Sequence, residues 1–149
     1  MKALIVDDER LARKELMKLL EEHPSIEIVG EAQNADEAEQ MITELNPDLL
    51  FLDIQMPGLS GLEIQEKLAR TGVSIPIIFV TGQGDITMSV QAMKAGAVEF
   101  LTKPCGVELL EAIRQAIERL SNATMHLAEL IMNSAISKAL KDKRVREIQ

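Results

Sequence analysis

The chain has 149 residues, of which 46% are hydrophobic and 27% charged, and its net charge at pH 7 is -8. This length suits one buried domain with a further segment rather than two domains of ordinary size. The acidic balance argues against a nucleic-acid or anionic-membrane surface over the whole molecule. No apolar run approaches the roughly 20 residues that cross a bilayer. Since the first residues also lack the pattern of a signal peptide, we expect a cytoplasmic protein with no membrane partner.

Cysteine and aromatic content exclude further classes. Cys105 is the only cysteine, so an intramolecular disulfide and a cysteine metal cluster are excluded, and we interpret it as a small packing residue. Tryptophan and tyrosine are absent. The stacking platforms of a single-strand nucleic-acid binder are therefore missing.

The hydrophobic pattern predicts five strands, each followed by a helix. The strands are predicted at 2–6, 26–32, 49–52, 75–80 and 98–101. Apolar residues at helical spacing predict helices that end near His23, Asn46, Arg70 and Gly96, and a last helix from about Val107. Either Asn34 or Asp36 can cap the second helix. Such alternation predicts an α/β fold with a doubly wound, five-stranded parallel sheet and helices on both faces.

Polar residues that can bind ligands or take part in reactions stand where four of these strands end. Because the carboxyl ends of parallel strands share one edge of a sheet, we expect these side chains to converge. They are Asp7 and Asp8, Asp53, Thr81 and Lys103.

Each of these residues also has an ordinary structural explanation. Asp53 can cap a turn before Pro57, and the Asp7 and Asp8 pair can favour a helix amino terminus through the helix dipole. Thr81 can be a turn residue and Lys103 a surface lysine. Coincidence at four strand ends is the less favoured interpretation.

The chemistry of the predicted cluster favours a metal and phosphoryl transfer. Three carboxylates at one edge repel one another, and a divalent cation relieves that repulsion. The oxygen ligands suit Mg²⁺. A free carboxylate beside a cation, a hydroxyl and an ammonium can attack a phosphoryl group in line.

The ordered motifs resemble the receiver (CheY-like) domain of bacterial two-component response regulators, which has a flavodoxin-like (βα)5 fold. They are VDDE at 6–9, LDIQMPGLSG at 52–61, VTG at 80–82 and GAVEFLTKP at 96–104. The resemblance covers about residues 2–120. DDERLARKEL near the start is similar to regulators with a LytTR-type output domain, whereas the segment from 80 to 104 is similar to the FixJ-type branch. A natural mosaic or an engineered hybrid can produce this combination.

The resemblance implies roles for the site residues. Asp53 is the expected phosphoacceptor, and a sensor histidine kinase or a small donor such as acetyl phosphate is the expected source. Asp8, Asp53 and the backbone carbonyl of Gln55 are expected to bind Mg²⁺, with Asp7 acting indirectly. Lys103 is expected to pair with the phosphoryl group.

The resemblance also implies a switch and a way to set its lifetime. Thr81 is expected to turn its hydroxyl toward the phosphoryl group, and Phe100 is expected to move inward. The bond before Pro104 is expected to be cis. Gln55 and Gln83 are expected to tune dephosphorylation.

The carboxyl-terminal run predicts a long helix, since no glycine or proline follows Gly106. Residues 121–149 are interpreted as a helical extension or coiled-coil linker after a receiver domain at 1–120. A 4-3 spacing favours a dimer seam over a frayed helix. The seam positions are Leu120, Thr124, Leu127, Ile131, Ser134, Lys138, Lys141, Val145 and Ile148. For the basic residues at 141–146, a solvated helix end is favoured over a nucleic-acid contact, so no direct nucleic-acid binding is expected.

The leading interpretation is a phosphorylation-controlled signalling protein that acts on transcription through an output domain absent from this chain. The alternative is a stand-alone receiver that acts by binding another protein. In either case a homodimer is expected through the face of the fourth helix, fifth strand and fifth helix, through the last helix, or through both. A phosphatase with an aspartyl-phosphate intermediate is disfavoured because Gln55 stands where such enzymes have a second acid, so we do not expect an enzyme.

Overall fold

A computed structural model describes residues 1–82 and 85–148, and of 146–148 it describes the backbone alone. The strands are β1 (Lys2–Val6), β2 (Glu27–Ala32), β3 (Leu49–Leu52), β4 (Ile77–Thr81) and β5 (Glu99–Thr102). The helices are α1 (Arg10–Leu20), α2 (Ala35–Leu45), α3 (Gly61–Arg70), α4 (Ile86–Lys94) and α5 (Glu108–Ile148). Strands and helices alternate along the chain as predicted.

The five strands form one parallel sheet in the order β2-β1-β3-β4-β5. The predicted doubly wound fold is confirmed. From β1 the chain adds β2 on one side of the sheet, and it then returns to add β3, β4 and β5 on the other side. The strand order therefore reverses between β1 and β3. Ligands of open α/β sheets bind at the carboxyl ends of the strands beside such a switch point.

Alternate residues of the central strands face two separate cores, which is why these strands are apolar throughout. Leu50 and Leu52 face a core that α2, α3 and α4 complete. Leu49 and Phe51 face a core that α1 and the first part of α5 complete. Burial on both faces fixes the strands in register and holds their ends in place.

Side-chain caps define three helix starts. The side-chain oxygen Oδ1 of Asn34 accepts a hydrogen bond from the Glu37 amide at 2.9 Å, so Asn34 rather than Asp36 caps α2. Ser60 and Asp85 cap α3 and α4 in the same way. Each cap satisfies an amide that the helix itself leaves without a partner.

Three strands have bounds that differ from the predictions. The strand expected at 26–32 is Glu27–Ala32, the strand expected at 75–80 is Ile77–Thr81, and the strand expected at 98–101 is Glu99–Thr102. Pro76 has no amide proton for the ladder, which explains the later start of β4. Thr81 is therefore the last residue of a strand rather than the first residue after it.

The chain separates into two units, Met1–Ile117 and Glu118–Gln149. The boundary at residue 120 that the resemblance implied stays a prediction. In the second unit every side chain described from 121 to 145 is exposed. Among the residues that the structure describes, no helix combines the length and the apolar character needed to cross a membrane.

Candidate functional site

The predicted site residues meet at the carboxyl edge of the sheet. Asp7, Asp53 and Lys103 directly follow β1, β3 and β5, and Thr81 ends β4. Backbone hydrogen bonds align these ends: the Asp53 amide donates to Val6 at 2.9 Å, and the Lys103 amide donates to Thr81 at 2.9 Å. Residues 96 positions apart in sequence are thereby brought into contact.

Charged groups are closely spaced in this cluster. The Lys103 ammonium lies 2.6 Å from Asp7 Oδ2 and 3.6 Å from Asp53 Oδ2. One carboxylate oxygen from each of Asp7, Asp8 and Asp53 lies within 4.8 Å of the others. Asp7 and Asp53 are buried, whereas Asp8 is more open to solvent. The structure thus brings both buried acids and the lysine together.

Burial sets the electrostatics of Asp53. Desolvation, followed by the nearby charge of Asp7, raises the pKa of Asp53 above its ordinary value of 3.8. The charge of Lys103 and hydrogen bonds from the Thr81 side chain and the Gln55 amide oppose this rise. Proximity of two acids in a poorly solvated site disfavours their joint ionisation. A cation bound among them would therefore be favourable.

The pKa of Lys103 is also raised, but by its charged partners and against the effect of burial. Burial alone would lower the pKa of Lys103, but its hydrogen bond to Asp7 and the charges of Asp53, Asp7 and Glu9 raise it above its ordinary value. Lys103 is consequently held as an ammonium beside the two acids. Such a group can balance negative charge that arrives on Asp53.

The loop after β3 supports Asp53 through its backbone. The Gln55 amide donates to Asp53 Oδ1 at 3.3 Å, and the Gln55 side chain is exposed. A Cβ atom at Gly61 would overlap the carbonyl oxygen of Asp53. The chain can therefore pass this close to Asp53 only where residue 61 has no side chain.

Of the two residues of the predicted switch, Thr81 ends β4 at this edge and Phe100 lies within β5. Thr81 is fully buried. Phe100 is half-buried, and its ring centroid lies 6.2 Å from that of Phe79. The peptide bond between Lys103 and Pro104 is cis. Gln83 lies outside the described residues.

Two contributors were missed by the sequence analysis. Arg13 is buried and donates from Nη1 to the carbonyl oxygen of Asp7 at 2.7 Å. Gly61 was named only as the last residue of the motif at 52–61, yet it lies against the Asp53 backbone. Arg13 precedes Leu16 and Leu20 by three and seven positions, and this spacing placed it on the buried face of α1. Cys105 is half-buried and packs against the core beneath α1 and α5, as expected of a packing residue.

The donor set fits a hard divalent cation. All three candidate side-chain ligands are carboxylates, with no histidine or thiol among them. Mg²⁺ typically uses one or two carboxylates and keeps several waters, which suits a cluster with one partly open acid. The arrangement can hold such an ion beside a carboxylate and an ammonium.

Comparison with known proteins identifies the family. The family model of the response regulator receiver domain matches residues 3–117. Nodulation protein W of Bradyrhizobium diazoefficiens is 44% identical over 119 residues, which are 77% of this chain and 50% of that protein.

Two solved structures show the same likeness. The crystal structure of FixJ-N is 36% identical, with a TM-score of 0.67 over 78% of this chain and 93% of that one. A DNA-binding response regulator of the LuxR family from Staphylococcus aureus is 28% identical, with a TM-score of 0.70 over 77% of this chain and 97% of that one. The chain spans about half the length of the curated relative it matches. The family model and the similar sequences agree with the fold. The chain belongs to the family of response regulator receiver domains.

Proposed function

We propose that this protein is a signalling receiver that accepts a phosphoryl group on the carboxylate of Asp53. The observation that carries the proposal is the position of Asp53: buried after β3, 3.6 Å from the Lys103 ammonium and beside two further acids. A buried carboxylate in this setting is both a nucleophile and the centre of a charge balance that phosphorylation would change.

In the proposed reaction, an Asp53 oxygen forms a bond to phosphorus as the bond between phosphorus and the donor's leaving atom breaks. For a phosphohistidine of a sensor histidine kinase, the leaving atom is a ring nitrogen, which retains the bonding electrons. Lys103 is proposed to balance charge on the transferred group. Thr81 donates to Asp53 and is proposed to donate to a phosphoryl oxygen instead.

Mg²⁺ is the proposed cofactor, held by Asp8, Asp53 and the backbone carbonyl of Gln55, with Asp7 acting through water. When bound, it supplies positive charge that offsets the charge of the phosphoryl oxygens. Asp7 is already engaged by Lys103 at 2.6 Å. That contact supports an indirect role for Asp7 and leaves the more open Asp8 as the direct ligand.

The proposed output is a change at the face formed by α4, β5 and the first part of α5. Thr81 and Phe100 are the proposed switch, since a new hydrogen bond to the phosphoryl group would exist in only one of two states. Ile86, Val90 and Met93 of α4 are exposed. An apolar row of this kind, exposed rather than part of the core, supports partner binding here.

A homodimer is proposed through this face, through the extension of α5, or through both. A transcriptional output is proposed for the whole natural protein, supported by the DNA-binding regulator among the structural relatives and by relatives twice as long as the matched region. A self-contained receiver that binds another protein is the alternative. The proposed partner upstream is a sensor histidine kinase, which would place the protein in the cytoplasm.

The direct test is intact mass after incubation with acetyl phosphate and Mg²⁺. We expect a phosphate-sized mass increase in the wild type and none in Asp53→Asn. Asp48→Asn is the matched control, because Asp48 precedes β3 and bonds to the Lys2 amide at the opposite end of that strand. A mass increase retained by Asp53→Asn would move the acceptor elsewhere.

The lifetime of the phosphoryl group provides a second measurement. Gln55 and Gln83 are proposed to set it by positioning or blocking water near Asp53. We expect the dephosphorylation rate to change in Gln55→Ala and in Gln83→Ala. An unchanged rate in both variants would remove this part of the proposal.

A further inference from the structure

Arg13 is a buried cation that lies against Asp7, one of the three acids of the cluster. Its side chain is 10% exposed. Nη1 donates to the carbonyl oxygen of Asp7 at 2.7 Å, and Nε donates to Glu31 Oε1 at 3.1 Å. Burial of a guanidinium is costly unless it is paired and hydrogen-bonded, and these two contacts meet that requirement.

The contact to Asp7 acts on the backbone rather than on a carboxylate. The carbonyl of Asp7 and the amide of Asp8 belong to one planar peptide group, so a donor fixed on the carbonyl fixes the plane that leads into Asp8. Glu31 holds the guanidinium from its other edge. The direction in which the Asp8 side chain leaves the chain is therefore controlled in part by Arg13.

The rest of Asp7 is already fixed by other partners. Its amide donates to Ala32 at 3.0 Å, and its two carboxylate oxygens accept from the Glu9 amide at 2.9 Å and from Lys103 at 2.6 Å. Arg13 supplies the remaining bond, to the carbonyl. Asp8 has no such fixed partners among the hydrogen bonds described, and so depends on the peptide that precedes it.

We propose that Arg13 is a positioning residue that orients Asp8 for Mg²⁺ through the Asp7–Asp8 peptide, with Glu31 orienting Arg13. This inference rests on the proposed function, because it assumes that Asp8 is a metal ligand. Outer partners that orient metal ligands typically change metal affinity by roughly 10- to 100-fold when they are lost.

Charge and position make opposite predictions for Arg13, which permits a sharp test. A nearby positive charge repels Mg²⁺, so its removal alone would tighten binding. Loss of orientation would weaken binding. Arg13→Gln removes both charge and orientation, whereas Arg13→Lys keeps the charge and loses the two-sided guanidinium geometry.

The experiment is a Mg²⁺ titration of the full chain, followed by NMR through the amide signals of Asp8 and Glu9. The chain has no tryptophan or tyrosine to report binding by fluorescence. We expect the dissociation constant to rise about tenfold in both Arg13→Gln and Arg13→Lys. Arg10→Gln is the matched control: it removes the same charge from an exposed residue of α1, and we expect no weakening.

Thermal unfolding without Mg²⁺ separates position from stability. A merely structural role would lower the unfolding temperature and leave the dissociation constant of the folded protein unchanged. Tighter binding in Arg13→Gln with no change in Arg13→Lys would show a charge effect and overturn the inference, as would equal affinities in all variants. A wild type that shows no Mg²⁺ response would instead overturn the proposed metal site, and this inference with it.

Discussion

The two units of this chain have nearly the same apolar content, but the first buries its apolar side chains in the sheet and the second exposes them. From 118 to 149, fourteen of 32 residues are hydrophobic, close to the 46% of the whole chain. In residues 1–117 the apolar side chains of the strands are almost all buried. In the extension Leu127 is 58% exposed and Ile131 is 63% exposed. Composition therefore does not decide burial; the presence of elements that can cover both faces does.

The two units also differ in charge. Residues 1–117 contain 20 acidic and 10 basic residues, whereas residues 118–149 contain four acidic and six basic residues. The net charge of -8 is thus the sum of -10 in the first unit and +2 in the extension. The effect of net charge on binding to charged partners therefore differs between the two units.

Matched leucine substitutions should show the largest difference between the units. Leu50 is fully buried in β3, and Leu130 is 53% exposed in the extension. We expect Leu50→Ala to lower the free energy of unfolding by about 2–5 kcal/mol, through lost burial and the cavity that remains. Leu130→Ala should change it by less than about 0.5 kcal/mol in the monomer. Urea unfolding followed by circular dichroism measures both, and similar losses would contradict the contrast.

The backbone contact between Gly61 and Asp53 should give the next largest effect. In an open helix position, Gly→Ala stabilises by up to about 1 kcal/mol. At Gly61 the added Cβ would overlap the Asp53 carbonyl oxygen, so we expect Gly61→Ala to cost about 1–3 kcal/mol. A Cβ at Gly106 meets only the end of the Glu108 side chain, which can move. Gly106→Ala is therefore the control, and a stability loss equal to that of Gly61→Ala would argue against the backbone overlap.

The pKa of Asp53 is raised first by desolvation and then by the charge of Asp7, and this predicts that stability depends on pH. The effect is on the order of 1 kcal/mol, because each tenfold change in proton affinity corresponds to about 1.4 kcal/mol. Native Asp53 binds its proton more tightly than unfolded Asp53. Its contribution to stability is therefore full below pH 3.8 and is lost as pH rises through the raised pKa. Without metal, Asp53→Asn should be more stable than wild type at pH 7, and this gain should shrink toward pH 3.8.

The control for this prediction comes from the extension. Glu129 is exposed. Glu129→Gln should leave the dependence of the unfolding free energy on pH unchanged. A gain for Asp53→Asn that stays constant between pH 4 and pH 7 would show that charge is not its cause.

Topology made the cluster predictable from sequence. The bounds of β1 and β3 agree with the predicted 2–6 and 49–52. Each strand is an apolar run that an aspartate follows directly, and this makes its end easy to locate. Once the strands are parallel and β1 lies beside β3, Asp7 and Asp53 must share an edge. No knowledge of side-chain conformation is required for that step.

Contacts that depend on side-chain reach were not predictable in this way. The long Arg13 side chain reaches back to the Asp7 carbonyl, and the closeness of Gly61 to Asp53 depends on the path of one loop. The apolar residues Ile86 and Met93 of α4 have helical spacing, but both are exposed. Ala92 is the one buried residue of that helix. Periodicity identifies an apolar row without stating what covers it.

The extension shows the same limit over a longer stretch. A continuous helix follows from the lack of glycine and proline, and α5 runs to Ile148. The predicted 4-3 seam includes Leu127 and Ile131, yet Met125, Met132 and Ile136 are also exposed and lie off it. The seam alone does not account for the apolar surface of this helix.

The smallest expected effect is on the monomer stability of a chain that ends at residue 120. The denaturant slope m scales with the surface that unfolding exposes, and no side chain described from 121 to 145 is buried. We expect the shortened chain to keep the slope of the full-length monomer and its unfolding free energy within about 1 kcal/mol. A clearly lower slope would mean that the extension buries surface within one chain.

Protein concentration then tests the extension as a dimer element. Association of folded chains stabilises them by mass action, so the unfolding midpoint of a dimer rises with concentration. We expect this rise in the full chain and its loss in the double variant Leu127→Asn, Ile131→Asn, which keeps the chain length and removes apolar contacts from the seam. A rise that survives in this variant and in the chain ending at residue 120 would assign dimer formation to the first unit, where the exposed row of α4 is the remaining apolar surface proposed for it.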